Sequence, residues 1–386
     1  MSAFKAFLDP KLKEKTAKPK PLGFSLTPSF LSSIYLYQFR AYGRMTAKFQ
    51  DNPVHVITGP NGAGKTSILE AISLLLPGKG IRGADTDDLV KSGHQAFALR
   101  FTFNTDQNIP LSLHTSFAEN MRHFKINDEV LSAPSDLYKF FSIHGLTPQM
   151  DKFFISEPAF RRKFFDKLVF SFYPQLMDVN QLHLKTLKAW SFHLKLEKND
   201  TVYLDTLEKT LSETGTELTK YRLETLKRLT PYLQNSLDDF PSASLSFSGF
   251  SDSFLSSDSL ISSYILARKT YPILKGLSLP HLMTPEIFNN TLKLKANLCS
   301  TGEQKSLLVS LLFSQISCIK RELNRTSILL LDDTTAHLDE QRQKTLYSRL
   351  LDIKALAFLS GTEQGLFKGF DTAAHYTLTN GELKNR

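Results

Sequence analysis

The chain has 386 residues, enough to bury a sizeable core and to form about two domains. A composition of 41% apolar and 22% charged residues excludes a chain too polar to fold. The net charge of +9 favours an anionic partner, with nucleic acid first and an anionic membrane surface second. Cys299 and Cys318 are the two cysteines; they exclude a disulfide framework, lack metal-ligand spacing and fit a reducing compartment. The longest apolar runs, around Ile72–Leu76 and Leu307–Phe313, fall well short of the roughly 20 residues a membrane span needs. With no signal-peptide stretch at the N-terminus, a soluble, cytoplasmic chain with no membrane partner is predicted.

Residues 1–30 carry six lysines and four prolines against Asp9 and Glu14, which predicts a flexible basic arm over 1–32. Such an arm either touches DNA phosphates or is simply solvated. From Ser33 the aromatic and aliphatic residues Ile34–Phe39 predict a strand, with a turn near Gly43. A short apolar run, Val54–Thr58, ends at Gly59, and Thr66–Leu76 then has helical spacing until Pro77. Phe97–Phe103 and Leu111–His114 read as further strands. From about Phe160 to Leu233 the spacing is helical, with Lys and Glu three or four apart. Residues 241–264 contain eleven serines, a pattern that fits a low-complexity linker or a surface strand equally. Gly302–Leu323 predicts a long apolar helix, Ser327–Leu331 a buried strand and Ala355–Leu359 another.

Gly59-Pro60-Asn61-Gly62-Ala63-Gly64-Lys65-Thr66 matches the phosphate-binding loop pattern G-x-x-x-x-G-K-[ST]. Its glycines let successive backbone N–H groups converge on one anion-sized hollow, and the helix that follows adds its positive end. Lys65 is spaced to reach the β- and γ-phosphates of ATP, and the Thr66 hydroxyl to bind Mg2+. The context is right as well: a strand precedes the loop and a helix follows it. Ser327–Leu331 leads into Asp332 and Asp333, where a buried parallel strand would present acids to a ligand. Asp332 is the candidate Mg2+ residue, and Asp333 the candidate base for the attacking water. Ser300-Thr301-Gly302-Glu303-Gln304 opens a helix, either as a phosphate-facing terminus or as a capping box closed by Glu303; the two are compatible.

The Ser300–Gln304 segment resembles the signature of the ABC ATPases, and Ala336–Asp339 resembles their D-loop. Ordered blocks narrow the resemblance to the RecF family: Phe39-Arg40-Ala41-Tyr42, the loop Gly59–Thr66, Leu69–Ile72, Pro77–Arg82, Leu146–Asp151, Arg161–Asp166, Cys299–Lys305 and Leu329–Asp339. They cover nearly the whole chain after the arm. The sequence departs from that family where Ser278–Leu282 keeps only the Pro and His of a longer motif. It departs again near Ala189-Trp190, where the family often has an Arg-Asn pair.

The resemblance implies an α/β fold: an ABC-type P-loop ATPase head with an inserted, mainly helical lever-arm domain. The head would comprise 33–155 and 296–386, with the insertion at 156–295. It implies nucleotide contacts from Arg40, from Gly59–Thr66 and from Ser67. Gln149 would sense Mg2+ and the attacking water, with Thr66 and Asp332 as the other metal residues; Lys65, Gln149 and Asp333 would form the catalytic set. Ser300–Gln304 would contact the γ-phosphate held by a second subunit. The ABC class usually has glutamate at the position of Asp333, so a weak, DNA-stimulated ATPase is expected. The implied role is an ATP-dependent homodimer on gapped or junction DNA in replication, recombinational repair and the SOS response, assisting RecA loading with RecO and RecR. The alternative is a non-catalytic, ATP-gated DNA clamp. A transporter ATPase does not fit. An SMC protein would need a long coiled coil in the about 235 residues between Lys65 and Ser300, and an overcoming-lysogenisation-type ATPase would need a C-terminal nuclease domain.

Overall fold

The computed structural model describes residues 27–196, 200–235, 240–271, 278–333 and 340–385. Most of the expected arm and the D-loop-like Ala336–Asp339 lie outside the described residues. The chain starts with β1 (Pro28–Phe39), β2 (Tyr42–Lys48), β3 (Val54–Thr58) and α1 (Lys65–Ser73). Next come β4 (Phe97–Thr105), β5 (Pro110–Ala118), β6 (Met121–Ile126), β7 (Glu129–Val130) and β8 (Phe141–Leu146). The middle of the chain holds α2 (Pro158–Phe172), α3 (Leu176–His193), α4 (Thr201–Gln234), β9 (Ala243–Ser248), α5 (Ser257–Thr270), β10 (Thr284–Asn289) and β11 (Leu294–Lys295). It closes with α6 (Thr301–Leu323), β12 (Thr326–Asp332), α7 (Glu340–Ile353), β13 (Leu356–Gly361), β14 (Ala374–Thr379) and β15 (Glu382–Asn385).

Two six-stranded sheets organise the head. One is antiparallel, in the order β2-β1-β4-β5-β6-β7; the other runs β15-β14-β3-β13-β12-β8. In the second sheet β14, β3, β13, β12 and β8 are parallel, with the antiparallel β15 at one edge. Its central strands, all buried along their length in β3, β12 and β13, need cover on both faces. On one face Ile57, Leu330 and Phe358 join α1 (Ile68, Leu69, Ile72) and the inner residues of the antiparallel sheet in one core. On the other, Val56, Leu329 and Leu359 pack with α2 and α6. A separate cluster of Trp190, Leu204, Leu211, Leu260 and Tyr264 forms the core of the insertion.

Two expectations are corrected, and one alternative left open by the sequence is decided in favour of a strand. The first strand begins at Pro28, inside the segment assigned to the arm, because Leu31 is fully buried and pairs with Phe103 of β4. The helix after Gly59–Gly64 ends at Ser73 rather than Leu76: Leu74 and Leu75 donate to carbonyls three residues back, tightening the last turn. The serine-rich segment is no linker. It supplies β9, which pairs along its length with β10 through Ala243↔Asn289 to Ser248↔Thr284, and then α5. The insertion is thus helical with a three-stranded sheet attached.

Candidate nucleotide-binding site

The parallel register brings four chain segments to one edge of the second sheet. Thr58 pairs with Gly361, Ser360 with Asp332, and Leu331 with Leu146. The segments that leave these strands are Gly59–Gly64, Thr362–Glu363, Asp333 and Thr147–Gln149. Ligands bind at this end of parallel strands because the loops diverge there.

Within Gly59–Gly64, two glycines are needed for separate reasons. A Cβ on Gly59 would collide with the carbonyl oxygen of Leu378 on β14. Gly64 has φ +103, and a Cβ there would strike the Tyr42 hydroxyl. Gly64 is also the N-cap of α1 and brings no capping side chain, so the helix meets a ligand with its own N–H groups and positive end. Lys65 is 5% exposed; its Nζ donates to the carbonyls of Gly59 at 2.8 Å and Pro60 at 3.1 Å. The ammonium thus lies folded under the loop, where phosphate oxygens can compete for it. A cleft of about 500 Å³ beside the loop is lined by Asn61, Thr362, Glu363 and Thr377, among others.

Asp332, 4% exposed, accepts two hydroxyl hydrogen bonds on Oδ1: from Thr66 Oγ1 at 2.9 Å and from Ser360 Oγ at 2.7 Å. Asp333 has φ +50 and its backbone N–H donates to both the carbonyl and the Oγ of Ser360, each at 3.2 Å. One serine therefore braces both aspartates. Thr66 and Asp332 offer hard oxygen donors of the kind Mg2+ takes alongside phosphate oxygens and water. No group of three or more His, Cys, Asp or Glu side chains able to hold a metal occurs among the described residues, so phosphate oxygens would complete the set.

Gln149 lies exposed in the 3-10 segment Pro148–Ile155, three residues beyond the end of β8. Ser300 caps α6 in a complete capping box: its N–H donates to Glu303 Oε2 at 2.7 Å and its side chain accepts from the Glu303 N–H. That pairing holds the Glu303 carboxyl below the usual carboxylate range. Gln304 is buried and its Nε2 donates to the Cys299 carbonyl at 2.8 Å, so it serves the start of its own helix. Ser300, Thr301 and Gly302 stay exposed, and space is open around Gly302. Arg40 grips Glu70 on α1 with both Nε (2.8 Å) and Nη2 (2.7 Å), while Nη1 donates to the Asp88 carbonyl.

The family model described as "RecF/RecN/SMC N terminal domain" matches residues 30–381. The DNA replication and repair protein RecF of Rhizobium johnstonii is 31% identical over 367 residues, covering 92% of this chain and 98% of that one. The chain belongs to the RecF family. RecF of Mesorhizobium japonicum is 30% identical over 368 residues, covering 92% of this chain and 97% of that protein. In three dimensions the chain is similar to the recombination mediator RecF solved as RecF-ATPrS, with TM-score 0.79 at 21% identity, covering 94% of this chain and 99% of that one. The SMC head bound to the winged-helix domain of ScpA is similar at TM-score 0.53 and 15% identity, covering 92% of this chain and 97% of that one. The fold is the mixed α/β SMC/RecF ATPase head. No helix among the described residues is long and apolar enough to cross a membrane.

In this RecF-family head, the sequence alone does not reveal Ser360, Glu70 or the ion pair between Lys305 and Asp151. Ser360 carries no motif; only strand register sets it opposite Asp332. Glu70 was legible only as part of the Leu69–Ile72 block, although a fully buried acid on an apolar helix face calls for a cationic partner. Lys305 Nζ lies 3.0 Å from Asp151 Oδ2, joining the first turn of α6 to the segment that carries Gln149.

Proposed function

We propose that this RecF-family chain binds ATP with Mg2+ at Gly59–Thr66 and acts as an ATP-dependent dimerising switch on DNA in replication and recombinational repair. The observation that carries the reading is the 2.9 Å hydrogen bond from Thr66 Oγ1 to Asp332 Oδ1, which joins the loop to the end of β12. Similar structures were solved as RecF-ATP and RecF-ATPrS, which supports the choice of nucleotide.

The loop N–H groups and the start of α1 bind the phosphates, and Lys65 exchanges two carbonyls for phosphate oxygens. The Thr66 hydroxyl and Asp332 would hold Mg2+, with Gln149 as the third candidate residue, and the ion would neutralise phosphate charge. Asp333 orients the attacking water and takes its proton. Its side chain is one methylene shorter than glutamate, which makes turnover slow. The exposed Ser300–Gly302 edge of one subunit caps the γ-phosphate held by the other, so ATP joins the two and hydrolysis releases them. On this reading gapped or junction DNA is bound mainly through phosphate contacts, and RecO and RecR are the partners in RecA loading.

ATP turnover measured with and without DNA tests the enzymatic part. Slow turnover raised by DNA, and lost in Lys65→Met and Asp333→Asn, is expected. Background turnover in the unmodified protein, unchanged by either substitution, contradicts it and leaves an ATP-gated clamp.

A further inference from the structure

The cleft beside the phosphate-binding loop contains a carboxylate that the proposed hydrolysis does not use. The cleft is lined by the loop residues Gly59–Asn61 and by Thr362, Glu363 and Thr377, and Glu363 is the one acid among the described residues that line it. Strand register puts this acid between the working parts of the site. β13 pairs with β3 through Gly361↔Thr58 and with β12 through Ser360↔Asp332. Glu363 therefore leaves the sheet between the phosphate-binding loop and the two aspartates.

The segment that carries it is held in place. The Gly59 N–H donates to the Gly361 carbonyl at 3.3 Å, and Ser360 bonds both Asp332 and the Asp333 N–H. Phe367, 3% exposed, lies so close over Gly361 that a Cβ there would come within 2.6 Å of its ring. Glu363 is the N-cap of the 3-10 turn Gln364–Phe367, yet its side chain makes no capping hydrogen bond and stays exposed. The carboxylate is thus not spent on holding its own turn. In a cleft beside a polyphosphate it opposes binding, because like charges repel. A site that only had to hold ATP would do better with an amide at this position. Hydrolysis has a use for the acid, since a carboxylate next to the phosphates accepts a hydrogen bond from water.

We infer that Glu363 is a second catalytic carboxylate, which accepts a hydrogen bond from the attacking water while Asp333 holds the water by its other hydrogen. In the step, the water oxygen forms a bond to the γ-phosphorus as the bond from that phosphorus to the β–γ bridging oxygen breaks. Asp333 takes one proton, ADP leaves with the electron pair of the broken bond, and the remaining hydrogen stays on the new phosphate oxygen, facing Glu363. Asp333 is one methylene shorter than glutamate and fixes the water less firmly alone; Glu363 makes up for that reach. The inference rests on the ATP hydrolysis of the proposed function and adds a residue to it.

The test compares the full chain with Glu363→Gln and with Asp371→Asn, which removes an exposed acid a few residues on that does not line the cleft. Steady-state turnover with ATP, Mg2+ and DNA gives kcat, and equilibrium binding of a fluorescent non-hydrolysable ATP analogue gives Kd. Glu363→Gln should lower kcat about tenfold, as loss of one charge-assisted hydrogen bond to the reacting water would. The same change should tighten Kd about threefold, because one repelling charge is gone. These opposite directions separate a catalytic acid from a structural one, whose loss would weaken binding. Asp371→Asn should match wild type in both. An unchanged kcat or weaker ATP binding in Glu363→Gln, or the same two changes in Asp371→Asn, overturns the inference. Background turnover in the unmodified protein overturns the hydrolysis reading itself and this inference with it, a result distinct from the others.

Discussion

Ser360 shows how much one hydroxyl can hold in place. It donates to Asp332 Oδ1 and receives the Asp333 N–H, so both acids depend on it. Ser360→Ala should lower kcat about tenfold, as a lost positioning hydrogen bond of about 1.4 kcal/mol would, with little change in the KM for ATP. An equal change in both parameters would instead mean that nucleotide binding had been damaged. Gly64→Ala is expected to weaken ATP binding strongly, because the positive φ and the Tyr42 hydroxyl both reject a Cβ; equilibrium binding of a fluorescent ATP analogue checks it. At this scale the sequence was informative wherever chemistry is contiguous. Gly59–Thr66 and Asp332 announce themselves because neighbouring residues share one task. Ser360 and the Glu70 partner of Arg40 do not, since their roles arise from strand register and helix packing.

Between elements, one ion pair ties the segment carrying Gln149 to the helix that Ser300 caps, and a hydrogen bond ties the preceding strand β8 to the same helix. Lys305 pairs with Asp151 at the first turn of α6, and His144 on β8 meets Gln315 deeper along it, Nδ1 to Oε1 at 3.3 Å. Lys305→Asp should weaken ATP-driven dimerisation while leaving ATP affinity of the monomer near normal, and adding Asp151→Lys should restore it. Failure of the double variant to recover would remove the pair from the coupling. A second ion pair is structural: Arg222 on α4 holds Asp166 on α2 in two-point contact, at 2.8 Å each, with side chains 7% and 14% exposed. Asp166→Ala leaves a buried guanidinium uncompensated and should cost about 3 kcal/mol in urea unfolding. The element order of the head was readable from apolar runs and motifs, but the insertion was less so. Its serine-rich strand β9 has a weak alternating pattern and becomes a strand only because β10, about forty residues later, supplies its ladder.

The whole molecule carries several histidines held neutral by burial. His183 is pushed down to about 3, and His55, His144 and His281 to about 4, in each case mainly by desolvation. Unfolded, each would titrate near 6.5. Between about pH 6.5 and 4 the unfolded chain therefore binds more protons, and stability falls as pH drops through that window. The melting temperature should be lower at pH 5 than at pH 7.5, and a flat profile would contradict the buried neutral state. The larger property is assembly. On the proposed function, the exposed Ser300–Gly302 edge of one copy of the chain completes the ATP site at the Gly59–Thr66 loop of another. Sedimentation velocity with and without ATP and Mg2+ tests this most directly. The account predicts a monomer that becomes a dimer with ATP, in the absence of DNA, and a Ser300→Arg variant that binds ATP yet stays monomeric. An unmodified protein that remains monomeric at saturating ATP, or a Ser300→Arg variant that dimerises as well as wild type, would contradict it.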